Sequence, residues 1–313
     1  MALLVGGSNT LPTGPGVPDV RATSVTWTSS SGRITSLSDF DDPQTGAFVM
    51  PGVAGTGMPD YTFYSDQSPA FDGSVVRGTP RANQRQITIP LHLWGPDRPS
   101  CLARYHRLVQ DLNPAYGPGT LTFTEDDGSA RHISAYYSDG FQGQEDDDRT
   151  GRHWMTVVLI FTAPSPYWLG EDKTVTFQVG GAASTFLPLL PLKVRDSQVL
   201  GAVKVINLGQ VDTYPVWTIR GPATAATITN NTTGESFILT RTLSSSDVAV
   251  IDTREGVKDA RLNGSTNLWP NLGSSPVLWP LKPGSNDVGL TVTGTSATSS
   301  VQLTYTSRYL TAF

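Results

Sequence analysis

Four histidines, one cysteine and an acidic run are the residues of this 313-residue chain with the chemistry to do catalysis or bind metal. Their spacing argues against both. Cys101 and His106 share one predicted helix, but five residues of separation puts them roughly 140° apart around its axis, so they cannot chelate one ion. His92, His132 and His153 are scattered among predicted strands, where a half-exposed surface position is the expectation. In the acidic run, Asp146, Asp148, Thr150 and Gly151 copy the first half of a calcium loop. The position that should carry a bidentate Glu is Val157, so the pattern fails where affinity is decided, and a solvated hairpin tip is the simpler reading. Asp41-Asp42 and Asp126-Asp127 are carboxylate pairs adjacent in sequence. Glycoside hydrolysis needs two carboxylates facing each other across a cleft, whereas adjacent Asp residues suit turns. Phosphate-binding, nucleophile-elbow, dinucleotide and zinc-protease motifs do not occur in the chain. The expectation is no catalytic, cofactor-binding or metal-ligating residue, no cofactor, and no enzyme. Trp217, Trp269 and Trp279 have the ring type to stack on a sugar, but core packing is the commoner use of tryptophan. Asn231 and Asn263 match a glycosylation acceptor, which carries no meaning without a secretory signal.

The elements that would position these residues are mostly strands. Val25 and Trp27 alternate with threonines ahead of a Ser30-Ser-Gly32 turn into Arg33–Leu37, which predicts a hairpin. Residues 41–83 read as a long loop that holds short strands or makes contacts. Gln86–Leu93 alternates with period two, and Pro90 within it predicts an edge strand or a bulge. One helix follows at about residues 99–113, with Pro99 in its first turn and Leu102, Tyr105, Leu108, Val109 and Leu112 as its apolar stripe. Asn113-Pro114 ends it. Thr120–Thr124 and Arg131–Tyr137 flank an Asp126-Asp-Gly128 turn, and Met155–Phe161 reads as a central strand covered on both faces. Ala163–Gly170 breaks every period and marks a boundary. Beyond it lie short strands at Tyr214–Arg220, Thr227–Thr229, Ser236–Thr240 and Val248–Asp252, then two longer ones. In those two, Val288, Leu290 and Val292, and Val301, Leu303 and Tyr305, face inward. Turn signals at Asn231–Gly234 and Asn263-Gly264 support an all-β sandwich. The expected organisation is a Pro/Gly-rich arm over 1–20, a β domain with one helix over 21–169, and a second β-sandwich over 170–313.

Composition agrees with a mainly β protein of two sandwiches. Charged residues make up 16% of the chain, against about 25% in typical domains. The 38 Thr and 29 Ser fill that place, and uncharged hydroxyls suit the solvent face of strands. Net charge is −5, distributed as −6 over residues 1–170 and +1 over 171–313. Neither half offers the basic stripe that neutralises phosphates, and no apolar run approaches the length of a membrane span. A lone Cys101 excludes an internal disulfide. These features suit a protein that works through its surfaces in an assembly.

A series of short motifs resembles a known family over nearly the whole chain. In the first domain they are Phe71-Asp-Gly73, Arg85-Gln-Ile-Thr-Ile-Pro-Leu91, Leu108-Val-Gln-Asp-Leu-Asn-Pro114, Gly119-Thr-Leu-Thr-Phe123, Tyr137-Ser-Asp-Gly140 and Phe161-Thr-Ala-Pro-Ser-Pro-Tyr-Trp168. In the second they are Asn207-Leu-Gly209, Tyr214-Pro-Val-Trp-Thr-Ile-Arg-Gly221, Asn231-Thr-Thr-Gly234, Ile251-Asp-Thr253 and Trp279-Pro-Leu-Lys-Pro-Gly-Ser-Asn286. Their order resembles the distal tail proteins of long-tailed bacteriophages, the siphovirus-type tail component family. The resemblance implies a structural virion protein whose first domain closes into a hexameric ring continuing the tail tube. Its second domain would be galectin-like and point outward. The implied partners are further copies of the chain, the tail tube protein, the tail hub or tip protein and receptor-binding or side-fibre proteins. DNA is implied only in transit through the lumen, and no membrane is involved. The implied location is the distal end of the virion tail, after assembly in the host cytoplasm. A carbohydrate-binding, host-recognition module of a tail tip stays open as the alternative.

Overall fold

In the computed structural model of the chain, residues 23–39, 42, 44–67, 69–70, 72–141, 153–178, 197–199 and 202–313 are described. The Pro/Gly arm and the acidic run 145–148 lie outside them. The expected first hairpin forms from β1 (Ser24–Thr28) and β2 (Ile34–Ser36), which bury Val25 and Trp27 and turn through Gly32 at φ 83°. The loop-like segment holds five short strands. These are β3 (Gly46–Val49), β4 (Tyr61–Thr62), β5 (Ser65–Asp66), β6 (Val75–Val76) and β7 (Arg81–Ala82). Strand β4 pairs with β7 and β5 with β6, two nested two-stranded ladders.

Strand β8 (Arg85–Trp94) buries Ile87, Ile89, Leu91 and Leu93 as its alternation demands, yet it is not an edge strand. It lies between β3 and β11 (Trp154–Ala163). Pro90 fits there through the bulge half of the expectation. Val49 pairs with Leu91 and Ala54 with Thr88, so residues 50–53 bulge opposite Ile89 and Pro90. The Pro90 carbonyl accepts from the Met50 N–H at 2.8 Å, and the absent proline N–H costs no ladder bond on that side.

The helix α1 spans Arg98–Leu112, is capped by the Asp97 carboxylate on the Ser100 N–H (2.8 Å), and ends at Asn113. Its buried face differs from the predicted stripe. Cys101, Leu108, Asp111 and Leu112 are buried while Val109 is exposed. The Asp111 carboxylate accepts from the Arg33 guanidinium and from Thr35 Oγ1, which turns that side of the helix onto β2. Close approach of Gly95 to the Cys101 backbone seats the first turn. Strands β9 (Gly119–Thr124) and β10 (Ala130–Asp139) form the expected hairpin around Gly128. The expectation for Met155–Phe161 needs correction. β11 is interior in its sheet, between β10 and β8, but only the face of Val157, Leu159 and Phe161 enters the core. Val158 on the other face is 37% exposed.

Strand β12 (Trp168–Gln178) begins in one core and ends in the other: Trp168 belongs to the first and Phe177 to the second. After β13 (Ser197–Val199) come β14 (Ala202–Asn207), β15 (Val216–Arg220), β16 (Ala225–Asn230), β17 (Glu235–Leu239), β18 (Val248–Asp252), β19 (Asp259–Leu262) and β20 (Thr266–Asn267). Two long strands close the chain, β21 (Gly284–Thr293) and β22 (Ser300–Tyr309). One sheet runs in the order β2-β1-β9-β10-β12-β22-β15-β18-β19-β20, with β11, β8 and β3 branching from β10. A second sheet runs β14-β21-β16-β17.

Two hydrophobic cores result. The first lies between β1, β9 and β10 on one side and β3, β8 and β11 on the other, with α1 adding Leu108 and Leu112. The second lies between β15, β18, β19 and β22 and the four strands of the second sheet. Val288, Leu290, Val301, Leu303 and Tyr305 are buried in it as expected, and Val292 is partly buried against it. The architecture is therefore mainly β, with one α-helix among the described residues.

All four histidines fall within residues 92–153. Burial holds His132 and His92 below the usual histidine range, with Asp172 opposing the effect at His132. The folded state then binds fewer protons than the unfolded one, so stability rises with pH and is lost as pH falls through about 6.5. A melting series from pH 7.5 to 5.5 should slope downward for the native protein. His132→Gln should flatten part of that slope; an unchanged slope in the variant would refute the assignment.

Candidate functional site

The residues singled out for chemistry are kept apart. Cys101 is buried, and desolvation pushes its thiol above the usual range. His106 and His153 are exposed at separate places, and His92 sits 3.3 Å from Thr156 Oγ1 on the outer face of β8. Among the described residues no group of three metal-ligating side chains converges. Asp127 is a turn residue that accepts from the Ser129 N–H (2.8 Å), and Asp42 does the same for Gln44. Trp217 and Trp279 are fully buried in the second core, so neither can stack on a sugar, and Trp269 is 36% exposed. Asn263 occupies a turn at φ 51°, and Asn230 rather than Asn231 caps the 231–234 turn through the Thr232 N–H.

What the fold assembles instead is a junction and two surfaces. The junction is built on Arg85, a buried arginine the sequence reading missed. Its guanidinium donates to the carbonyls of Gly55 (2.6 Å), Pro166 (3.0 and 2.8 Å) and Leu310 (2.8 Å), and also to Gly57. One side chain thereby ties the 55–57 loop, the segment between the two cores and the C-terminal strand. Its alternate position in an apolar strand was the available signal: Arg85 occupies an inward-facing slot in the Ile87–Leu93 series. Arg308 acts alongside. Its guanidinium lies 4.2 Å from the Tyr167 ring centre and donates to the Asp212 carbonyl (3.1 Å) and Glu255 Oε2 (3.2 Å). Tyr214 lines the same crevice, its hydroxyl pushed up to about 12 by burial and by Glu255.

The first surface is the hairpin of β4–β7. Its ladder is two residues long at each pairing, closed by Arg77 N–H to the Tyr64 carbonyl (2.6 Å) and Asn83 N–H to the Asp60 carbonyl (2.8 Å). Phe63 and Tyr64 are each 61% exposed and Val75 and Val76 each 47%. None of the four belongs to either core. The second surface is a cleft of about 460 Å³ between α1 and the β2–β3 side of the first core. Arg33, Arg104 and Arg107 line it with one carboxylate, Asp39, while Leu37, Ala47, Leu93 and Leu108 form its floor. Arg104 reaches Thr45 Oγ1 (3.2 Å) and Asp39 (3.7 Å).

Fold and surfaces define a two-core β protein with an exposed apolar hairpin and an arginine-lined cleft. Comparison with known proteins makes this specific. Residues 208–309 match the family model of the siphovirus-type tail component, C-terminal domain. The crystal structure of SPP1 Dit (gp 19.1), described as a paradigm of the hub adsorption apparatus in Gram-positive infecting phages, superposes with a TM-score of 0.64. The match covers 92% of this chain and 99% of that one at 14% identity. A chain of the phage p2 baseplate in its activated, strontium-bound conformation gives a TM-score of 0.49 at 12% identity, covering 91% and 98%. No curated protein matches the chain in sequence. The chain has the fold of SPP1 Dit, and residues 208–309 are similar to the siphovirus-type tail component C-terminal domain, as the motifs indicated.

Proposed function

We propose that the chain is a non-enzymatic structural protein at the distal end of a phage tail, within the hub that joins the tube to the tip or baseplate. The observation that carries this reading is the tail-component match over residues 208–309 on a fold shared with SPP1 Dit along nearly the full chain. Residues 21–169 are the ring-forming unit and 170–313 an outward, galectin-like unit that carries receptor-binding or side-fibre proteins. Six copies close around a channel through which DNA passes. The −6 charge of residues 1–170 supports this, because like charge repeated around a lumen keeps a phosphate backbone from adhering. Ring closure also satisfies open sheet edges without building a fibre. The protein is assembled in the host cytoplasm and then resides in the virion.

Light scattering of the purified protein, with negative-stain images, tests the reading. Six chains of 33.5 kDa give a species of about 200 kDa with a central hole. A particle of any other closed stoichiometry would overturn the hexamer. Burial of Trp217 and Trp279 takes away two of the three tryptophans that could stack on a sugar, and glycan-array binding by the second unit would favour the carbohydrate-binding alternative.

A further inference from the structure

We propose that residues 310–313 are a strap that fixes how the two cores are oriented, so that the two units move as one body until it is released. Two neighbouring strands cross between the cores. β12 leaves the first core at Trp168 and enters the second at Phe177, and β22 runs back beside it from Val301 to Tyr309. Strand β10 of the first unit meets this ribbon at one pairing, His132 with Leu169. Units joined by a ribbon alone bend about it, and relative motion is the default unless a further contact prevents it.

Past Tyr309 the chain leaves the ribbon and packs on the first unit, where four separate stretches hold it. Arg85 of β8 donates to the Leu310 carbonyl (2.8 Å), and the Thr56 carbonyl accepts from the Ala312 N–H (2.8 Å). Arg131 of β10 donates to the Thr311 carbonyl (3.0 Å) and hydroxyl (3.2 Å) and to the Phe313 carbonyl. Its guanidinium also lies 4.0 Å from the Tyr309 ring centre. Phe313 meets Phe123 of β9 edge-on at 5.7 Å, and Ala312 is 2% exposed within the first core. On the other side of the joint, Gln210 Oε1 accepts from the Leu310 N–H (2.8 Å), so the strap is gripped by both units. Arg85 adds to this, because it also donates to the Pro166 carbonyl (2.8 Å), just before β12 begins. One side chain therefore holds both crossings. A swing of the second unit about β12 would carry Tyr309 with it, draw Ala312 out of the first core and break the Arg131 bonds together.

Paired spin labels on the full chain test the strap. Tyr116→Cys in the first unit and Ile238→Cys on β17 in the second are exposed attachment points, and the native Cys101 is buried. Measured in an excess of unlabelled chain, so that only pairs within one molecule are read, the labelled protein should give one narrow distance peak. Removing residues 311–313 should lose that peak to a broad distribution, while far-UV circular dichroism keeps its strand signal. Arg131→Ala, which takes away the side chain that holds Thr311 and Phe313, should broaden the peak in the same way. That variant carries the comparison if the shortened chain fails to fold. Equal peak widths with and without the strap would overturn it and leave the joint to the crevice of Arg308 and Tyr167. A broad distribution in the labelled chain with its strap intact would overturn it as well.

Discussion

Arg85→Leu is expected to destabilise the protein by about 3–5 kcal/mol, since each carbonyl left without its donor costs about 1–3 kcal/mol when buried and less where water reaches it. Arg85 is 3% exposed, and its fork of donors serves four carbonyls from three stretches of chain. Leucine fills much of the volume but leaves those part-buried carbonyls without the donor they share. The partners cannot relax to find others. Gly55 is held at φ 82°, and a Cβ built there would lie 1.9 Å from the Gln86 carbonyl oxygen, so the loop is already packed backbone to backbone. Burial lowers the Arg85 pKa, with Asp60 opposing the effect, yet guanidinium stays charged at any physiological pH. Lysine at this position would recover only part of the loss, because one ammonium cannot span carbonyls that a planar fork reaches in several directions. Denaturant unfolding at pH 7.5 measures the cost, and a midpoint within error of the native protein would show that the five bonds hold nothing. The same variant bears on assembly. Pro166 lies between the two cores, so loss of the clamp should expose the 163–168 segment to limited proteolysis at low temperature, before global unfolding.

Trp217→Ala is the second large effect, at about 3–5 kcal/mol for deleting a buried tryptophan. Its ring meets Trp279 edge-on at 5.5 Å and Phe237 at 6.2 Å, and no part of it is exposed. Trp217→Phe should cost far less. The indole N–H of Trp217 is buried with no hydrogen-bond partner, so phenylalanine removes a desolvated donor while keeping most of the edge-to-face contact. Trp269→Ala, at a partly exposed position outside both cores, should leave melting unchanged. The three variants also weigh function. A sugar-binding second unit would require a tryptophan whose removal abolishes binding without unfolding the protein, and only Trp269 is open enough to behave so. Normal melting of Trp217→Ala together with loss of glycan binding would reverse the core assignment.

Much of the fold was legible because local rules and tertiary packing agree. Period-two alternation placed the cores of β8, β21 and β22, and Asp-Gly and Asn-Gly turns placed the hairpins. Pro99 and Asn113-Pro114 bracketed the helix, and the structure added the Asp97 cap. The misses share a cause. Val109 sits on the helical stripe that periodicity selects, but the Arg33–Asp111 pair rotates the buried face towards a polar residue. The strand over Met155–Phe161 is apolar on both sides, and composition cannot say that one of those sides has no covering layer among the described residues. Pro90 signalled disruption correctly, but whether the disruption was an edge or a bulge depended on β3, which lies about forty residues earlier in the chain.

By itself, then, the chain's order of residues determined that the protein is mainly β, that it has one helix among the described residues, and that it resembles tail components. These follow from short-range preferences and from which residue types are present. The tertiary structure alone decided that Arg85 is a buried clamp, that Trp217 and Trp279 are core rather than sugar platforms, and that Phe63, Tyr64, Val75 and Val76 lie outside both cores. Each depends on groups far apart in the chain: Arg85 and Leu310 are separated by 225 positions. No local preference encodes such a contact, because the burial of one partner is set by the arrival of the other.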